Sequence, residues 1–407
     1  MTFQRRRKLS AALVLAAFVW VAGNAAGVNA VEKISRESTG SKEVFSSGVS
    51  EALAHFLLGN LHDSAGKTVS AEEEYRKALS LEPENPEIQV KLGESLLLSG
   101  KFREAREVLR SAVDSDENNI GANLLLAFIN TSENDLPEAK KRYEKVLELD
   151  PENVRAMTFL ADLHIRENNV EQAAGIYERI IKVDPEDISA YFNLGMLYGK
   201  LGRFDSARET LRKAVELDNE YLEARLLIGF LYEVEGKTTE AEEAYRTVLD
   251  IDERNVDARV RLSQVYKRAG AFDKAITENR KIMEIEPFSP DPYLASYGIY
   301  VSAGNYDDAE AVLKEALLKG FTMGSVYSGL GYAATKKGEH SEALSYYEKA
   351  LEQSPRNDEY KFYVALSLGS LGREQEAEMV LLKAVEEGTR VPEIYNYLGY
   401  SYAQKGE

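Results

Sequence analysis

Apolar residues recur along this chain at helical spacing, and the helical runs themselves recur. In Ile188 to Tyr221, "ISAYFNLGMLYGKLGRFDSARETLRKAVELDNEY", Tyr191, Leu194, Gly195 and Tyr198 fall at i, i+3, i+4 and i+7, which is one face of a helix. Gly202 ends that helix, because the residue after a helix commonly takes a positive φ that Gly accepts without strain and Asn tolerates. Asp205 opens a second helix, whose inward face carries Ala207, Leu211 and Ala214. Gly195, Ala207 and Ala214 are small where the two helices are expected to cross, so the backbones can approach closely. The pattern predicts a two-helix hairpin sharing one apolar seam.

That hairpin is repeated. Alanine stands at Ala71, Ala105, Ala139, Ala173, Ala207, Ala241, Ala275, Ala309, Ala343 and Ala377, an unbroken spacing of 34. A turn former keeps the same period at Gly66, Gly100, Asn134, Asn168, Gly202, Gly236, Gly270, Gly304, Gly338, Gly372 and Gly406. Prolines that cannot continue a helix close several units, at Pro83, Pro151, Pro185, Pro287 and Pro355. A fixed period of this length means one supersecondary unit stacked on copies of itself. Such an array grows by nearest-neighbour contact and has no central core. No run of strand-like alternation competes with the helical period.

The pattern resembles the tetratricopeptide repeat family. That family places large residues near the fourth, seventh and eleventh places of a 34-residue unit, and Gly or Ala at the eighth. Ala follows at the twentieth, an aromatic or Leu at the twenty-fourth, Ala at the twenty-seventh and Pro at the thirty-second. Here the eighth place reads Gly59, Gly93, Ala127, Ala161, Gly195, Gly229, Ser263, Tyr297, Gly331, Ala365 and Gly399. The twenty-fourth reads Tyr75, Leu109, Tyr143, Tyr177, Leu211, Tyr245, Asn279, Leu313, Tyr347 and Leu381. The resemblance implies an all-α fold, a right-handed superhelical solenoid of stacked helix–turn–helix units. Asn279 is polar and Tyr297 bulky against this pattern, so a looser or kinked stack is expected in the seventh and eighth repeats.

The first thirty residues follow another rule. Arg5, Arg6, Arg7 and Lys8 precede the apolar stretch "AALVLAAFVWVAG" (Ala11 to Gly23), and "VNA" (Val28 to Ala30) supplies small residues for cleavage. This is the layout of a secretory signal peptide, and thirteen apolar residues are short for a bilayer span. The expected location is periplasmic or otherwise exported, with an uncleaved anchor at residues 11–23 as the rival. Residues 31–51 read as a flexible leader, 52–391 as ten repeats, and 392–407 as the first helix of an eleventh, either a cap or a unit that continues. Loss of residues 1–30 would lower the formal charge from −18 to −22. An acidic array without a basic stripe is unsuited to phosphate backbones, so nucleic acid is not an expected partner. The chain has no cysteine, so its stability rests on helix packing.

No catalytic constellation is legible, and no cofactor, metal or small-molecule substrate is expected. His55, His62 and His164 occupy packing places of their repeats, and no acidic or third ligand is evident beside the i, i+7 pair of His55 and His62. By resemblance, the second, fifth, ninth, twelfth and thirteenth places line a concave groove. The fifth place supplies Phe56, Val90, Leu124, Phe192, Leu226 and Val260, and the ninth supplies Phe128, Met196, Phe230 and Tyr332. Apolar groups in a groove suit capture of a peptide or amphipathic helix, while fifth-place residues also suit packing on the next repeat. The Lys and Asn clamp that some family members use for C-terminal carboxylates is missing, since no fifth place is Lys. The resemblance implies a non-catalytic interaction scaffold binding protein or peptide partners. Assembly of a secretion, pilus or polysaccharide-export machine is a task of this kind. The repeat half of an envelope enzyme, with its catalytic domain beyond residue 407, is the alternative. Gly320 and Gly388 precede the usual helix end and predict tighter second helices there.

Overall fold

Twenty-one α-helices and no strand are present among residues 51–406, which the computed structural model describes. The signal peptide and nearly all of the leader predicted from the sequence lie outside the described residues. The chain divides into two compact units after Gly202. The first contains α1 (Glu51–Ser64), α2 (Thr68–Leu81), α3 (Pro86–Leu98), α4 (Phe102–Ser115), α5 (Ile120–Ser132), α6 (Leu136–Leu149), α7 (Val154–Arg166), α8 (Val170–Val183) and α9 (Ile188–Lys200). The second contains α10 (Phe204–Leu217), α11 (Leu222–Val234), α12 (Thr238–Ile251), α13 (Val256–Arg268), α14 (Phe272–Ile285), α15 (Asp291–Ser302), α16 (Tyr306–Leu318), α17 (Gly324–Lys337), α18 (His340–Gln353), α19 (Asp358–Ser370), α20 (Glu374–Glu386) and α21 (Pro392–Lys405). Each unit is an all-α solenoid of hairpins in which every helix packs mainly on its chain neighbours.

Local chemistry accounts for the helix ends. Asn85, Asn119, Asn153, Asp187, Asn255 and Asn357 each accept a backbone N–H from the first turn of the following helix. All eleven turn residues of the 34-residue series have positive φ, including Asn134 at 67° and Asn168 at 62°. Gly320 and Gly388 are also left-handed, and α16 and α20 accordingly run 13 residues where the other second helices run 14. One expected boundary moves. Phe204, not Asp205, opens α10, with Arg203 as an N-cap that makes no side-chain capping bond.

All ten periodic alanines are fully buried. The eighth place is small for a reason visible in single hairpins: a Cβ on Gly59 would lie 2.4 Å from the Tyr75 ring, and one on Gly229 2.6 Å from the Tyr245 ring. The twenty-fourth-place side chain fills that space, so neither glycine could gain a side chain without moving a buried ring.

The seventh and eighth repeats compensate for their irregular residues in place. Asn279 is buried and donates to Ser296 Oγ at 3.1 Å, which in turn donates to the Pro292 carbonyl at 2.8 Å. Tyr297 is accommodated by Gly329, where a Cβ would meet the tyrosine ring at 3.2 Å. Ser296 itself stands at a seventh place that is Leu, Ile or Val in every other repeat.

Candidate interaction face

Places 5 and 9 of a first helix lie one turn apart and so share a face. The structure sorts the predicted groove residues along it. Leu124 is 5% exposed and belongs to the core around Tyr143. Phe56 leans on the Tyr75 ring at 5.9 Å, Phe128 on Phe159 at 6.0 Å, and Val90 lies against the core of its own repeats. Leu226 packs with the cluster around Tyr245, and Phe192 is half-buried. Packing therefore accounts for most fifth-place residues. Met196 in the first unit, at 42% exposed, and Phe230 and Val260 in the second, at 38% and 37%, remain open. Tyr332 is half-buried with Lys336 Nζ 5.3 Å from its ring centre, and the Arg261 guanidinium stands 5.1 Å over Phe230. Leu366, also exposed, holds the ninth place of the tenth repeat and belongs with these; its place number alone would have found it.

Two polar couplings run through the hairpins. The Tyr75 hydroxyl donates to Asp63 at 2.6 Å, and that of Tyr245 to Glu233 at 2.8 Å. The Tyr143 and Tyr347 hydroxyls lie 3.4 and 3.5 Å from Thr131 and Thr335. Each joins place 24 to place 12. Where place 24 is Leu, place 12 reads Leu97, Gly199, Val301 and Gly369, so the two places vary together, with Tyr177 and Ile165 the exception. Asp63 and Glu233 thus serve ring hydroxyls of the core. The second coupling joins places 4 and 23: His55 to Glu74 at 2.6 Å, Arg142 to Asn123 at 3.2 Å, and Arg259 to Glu278 at 2.6 Å. His55 therefore has an acidic partner that its sequence neighbourhood did not reveal. His164 is buried, and desolvation together with Lys140 holds its imidazole pKa below the usual value. Among the described residues no group of three His, Asp or Glu could hold a metal, and no helix is long and apolar enough to cross a membrane.

Asp162, at the ninth place of α7, brings charge to the same face. Asp162 is solvent-exposed, and the protein near it still disfavours the ionised carboxylate, raising its pKa to about 6 against the pull of Arg166. Because the folded pKa lies above the unfolded one, the stabilising contribution is present in acid and is lost as pH rises through 6. Asp162→Asn is expected to raise the melting temperature relative to the parent at pH 7.5, the gain shrinking toward pH 4.5. A difference that does not change with pH in thermal melts would refute the shift.

Stacked two-helix units, each locked by a buried alanine and a left-handed turn, define an α-helical repeat scaffold. The chain belongs to the tetratricopeptide repeat family, whose repeats are protein–protein interaction modules. The family description "Cilia and flagella-associated protein 70 C-terminal domain" matches residues 21–249, and "Tetratricopeptide repeat" descriptions match 234–297, 299–358 and 328–392. No curated protein matches the chain. Among solved structures, the C-terminal part of a TPR repeat-containing protein from Cytophaga hutchinsonii superposes with a TM-score of 0.53 at 14% identity, covering 59% of this chain and 98% of that one. A tetratricopeptide repeat protein from Parabacteroides merdae matches with a TM-score of 0.42 at 19% identity, over 61% of this chain and 98% of its own. YrrB, described as a TPR protein with an unusual peptide-binding site, matches with a TM-score of 0.39 at 24% identity, over 47% of this chain and 98% of its own.

Proposed function

We propose that this protein is a non-catalytic scaffold of the cell envelope that holds peptide or protein partners on the first-helix faces of its repeats. The observation that carries this reading is the exposure of Met196, Phe230 and Val260 on a face where sister repeats carry Asn60, Glu94 or Gln264 at the ninth place. Large apolar side chains left in water on the first-helix face of a repeat mark a binding surface. An incoming apolar side chain gains by covering them, and Arg261 over Phe230 adds a charged edge for a partner's carbonyl or carboxylate. The envelope assignment rests on the basic, apolar and small-residue order of residues 1–30. It brings with it a role in assembling an export, pilus or secretion machine.

The face is tested unit by unit. The full chain is immobilised, envelope extract is passed over it, and recovered proteins are compared with those held by Phe192→Ser/Met196→Ser and by Phe230→Ser/Val260→Ser. Loss of a recovered band in either variant, with the helical circular dichroism intact, is the expected result. Equal recovery by both variants would rule the face out. The intact mass of the natural protein tests the export reading: a species beginning at Val31 is expected, and a retained N-terminus would favour the anchor at residues 11–23.

A further inference from the structure

Repetition gives every position its own internal controls, and one region departs from them repeatedly. Inside, Ser296 replaces an aliphatic seventh-place residue and Asn279 an apolar or aromatic twenty-fourth-place residue. Outside, the changes run the other way. Place 33 is polar or charged in nine repeats and is Phe288 in the seventh; place 29 is polar or charged in nine and is Leu318 in the eighth. Phe288 is 93% exposed and Leu318 88%, the two most exposed large apolar side chains among the described residues.

These departures surround a single cleft. Helices α14, α15 and α16 border an open cleft of about 430 Å³ whose lining includes Ile276, Met283, Val312 and Ser296. That volume is in the range of pockets that enclose small ligands and admits an aromatic side chain. Tyr293, almost wholly buried, lines it. Pro287 and Lys319 are part of the lining, so Phe288 and Leu318, the adjoining residues, stand beside its rim. A protruding aromatic knob and a concave cleft thus share one patch.

We propose that this patch joins two copies of the chain across a two-fold axis, each copy placing Phe288 in the cleft of the other. A two-fold contact uses the same patch on both partners, so it requires knob and hole side by side on one surface. A lone peptide would use the hole but leave Phe288 and Leu318 in water, whereas a second copy covers both. Charge points the same way. A chain of formal charge −18 repels its copy over most of its surface. Here the lining carries both signs, Arg280 and Lys319 with Glu284, Asp308 and Glu315, so opposite charges can meet across the axis.

Sedimentation equilibrium of the full chain tests this, with Phe288→Asp and Leu318→Glu beside it. The parent is expected to shift from one copy to two with concentration, and each variant to associate at least about tenfold more weakly. Glu186→Ala, at place 33 of the fourth repeat, is the control and is expected to leave association unchanged. Because the chain lacks cysteine, Phe288→Cys mixed with Ala311→Cys and oxidised with copper phenanthroline should yield a disulfide between unlike chains. A parent that stays single up to its solubility limit overturns the proposal. So does a dimer indifferent to Phe288→Asp, or one that forms without the cross-link.

Discussion

Replacing Tyr143 with alanine is expected to destabilise the first unit by about 3–5 kcal/mol, the usual cost of truncating a buried aromatic. Tyr143 is fully buried, its ring stacks on Phe159 at 5.6 Å and 25°, and it lies in the same core as Ala127 and Ala139. Phe159 belongs to the next repeat, so one ring joins two repeats, and its loss opens both a cavity and an inter-repeat seam. Tyr143→Phe keeps the ring and loses only a long contact to Thr131, at 3.4 Å, so it should cost no more than about 1 kcal/mol. The damage should also be local, because a repeat array is held by nearest-neighbour interfaces. Hydrogen exchange is expected to lose protection in α5 to α8 while α16 to α20 keep theirs. Equal loss of protection in both segments would show that the array does not behave as a sum of neighbouring terms.

What was legible in the sequence follows from what repetition makes visible. The buried alanines and left-handed turns could be read because each place has one geometric demand, met the same way ten or eleven times. Boundaries were legible only where a side chain marks them. Asn153 caps α7 and announces it, whereas α10 starts at Phe204 after an Arg203 that makes no capping bond, and its start was misplaced by one residue. The coupling of places 12 and 24 was present in the sequence as paired variation and needed only a comparison of two columns. The coupling of places 4 and 23 was not, since His–Glu, Asn–Arg and Arg–Glu satisfy one geometry with unlike residue types. The candidate face was half legible. Apolarity at places 5 and 9 shows in the sequence, but exposure depends on what a neighbour supplies. Tyr75 and Phe159 pack on Phe56 and Phe128, whereas Met196 and Phe230 stay 42% and 38% exposed.

The place 4 and 23 coupling yields the other large effect, in the seventh repeat. Arg259 is almost completely buried and donates to Glu278 Oε2 at 2.6 Å and to the Glu253 carbonyl at 2.5 Å. Glu278 is itself buried, and its remaining cation, Lys281, lies 3.6 Å away on the surface side. Arg259→Met removes the close partner and leaves a buried carboxylate to be desolvated almost alone, which is expected to cost about 3–5 kcal/mol. Changing both residues, Arg259→Met with Glu278→Leu, removes the charge along with its partner. Buried ion pairs replaced by apolar groups of similar volume are often neutral or stabilising by about 1–4 kcal/mol, so the double variant should recover most or all of the loss. Urea denaturation of the parent, both single variants and the double variant gives the four corners of the cycle. A double variant as unstable as Arg259→Met would place the stabilisation in the bond from Arg259 to the Glu253 carbonyl, which ties α13 to the turn before it. Recovery would show instead that the pair sets which residues can stand at these two places, and that the hairpin itself is held by its alanines and rings.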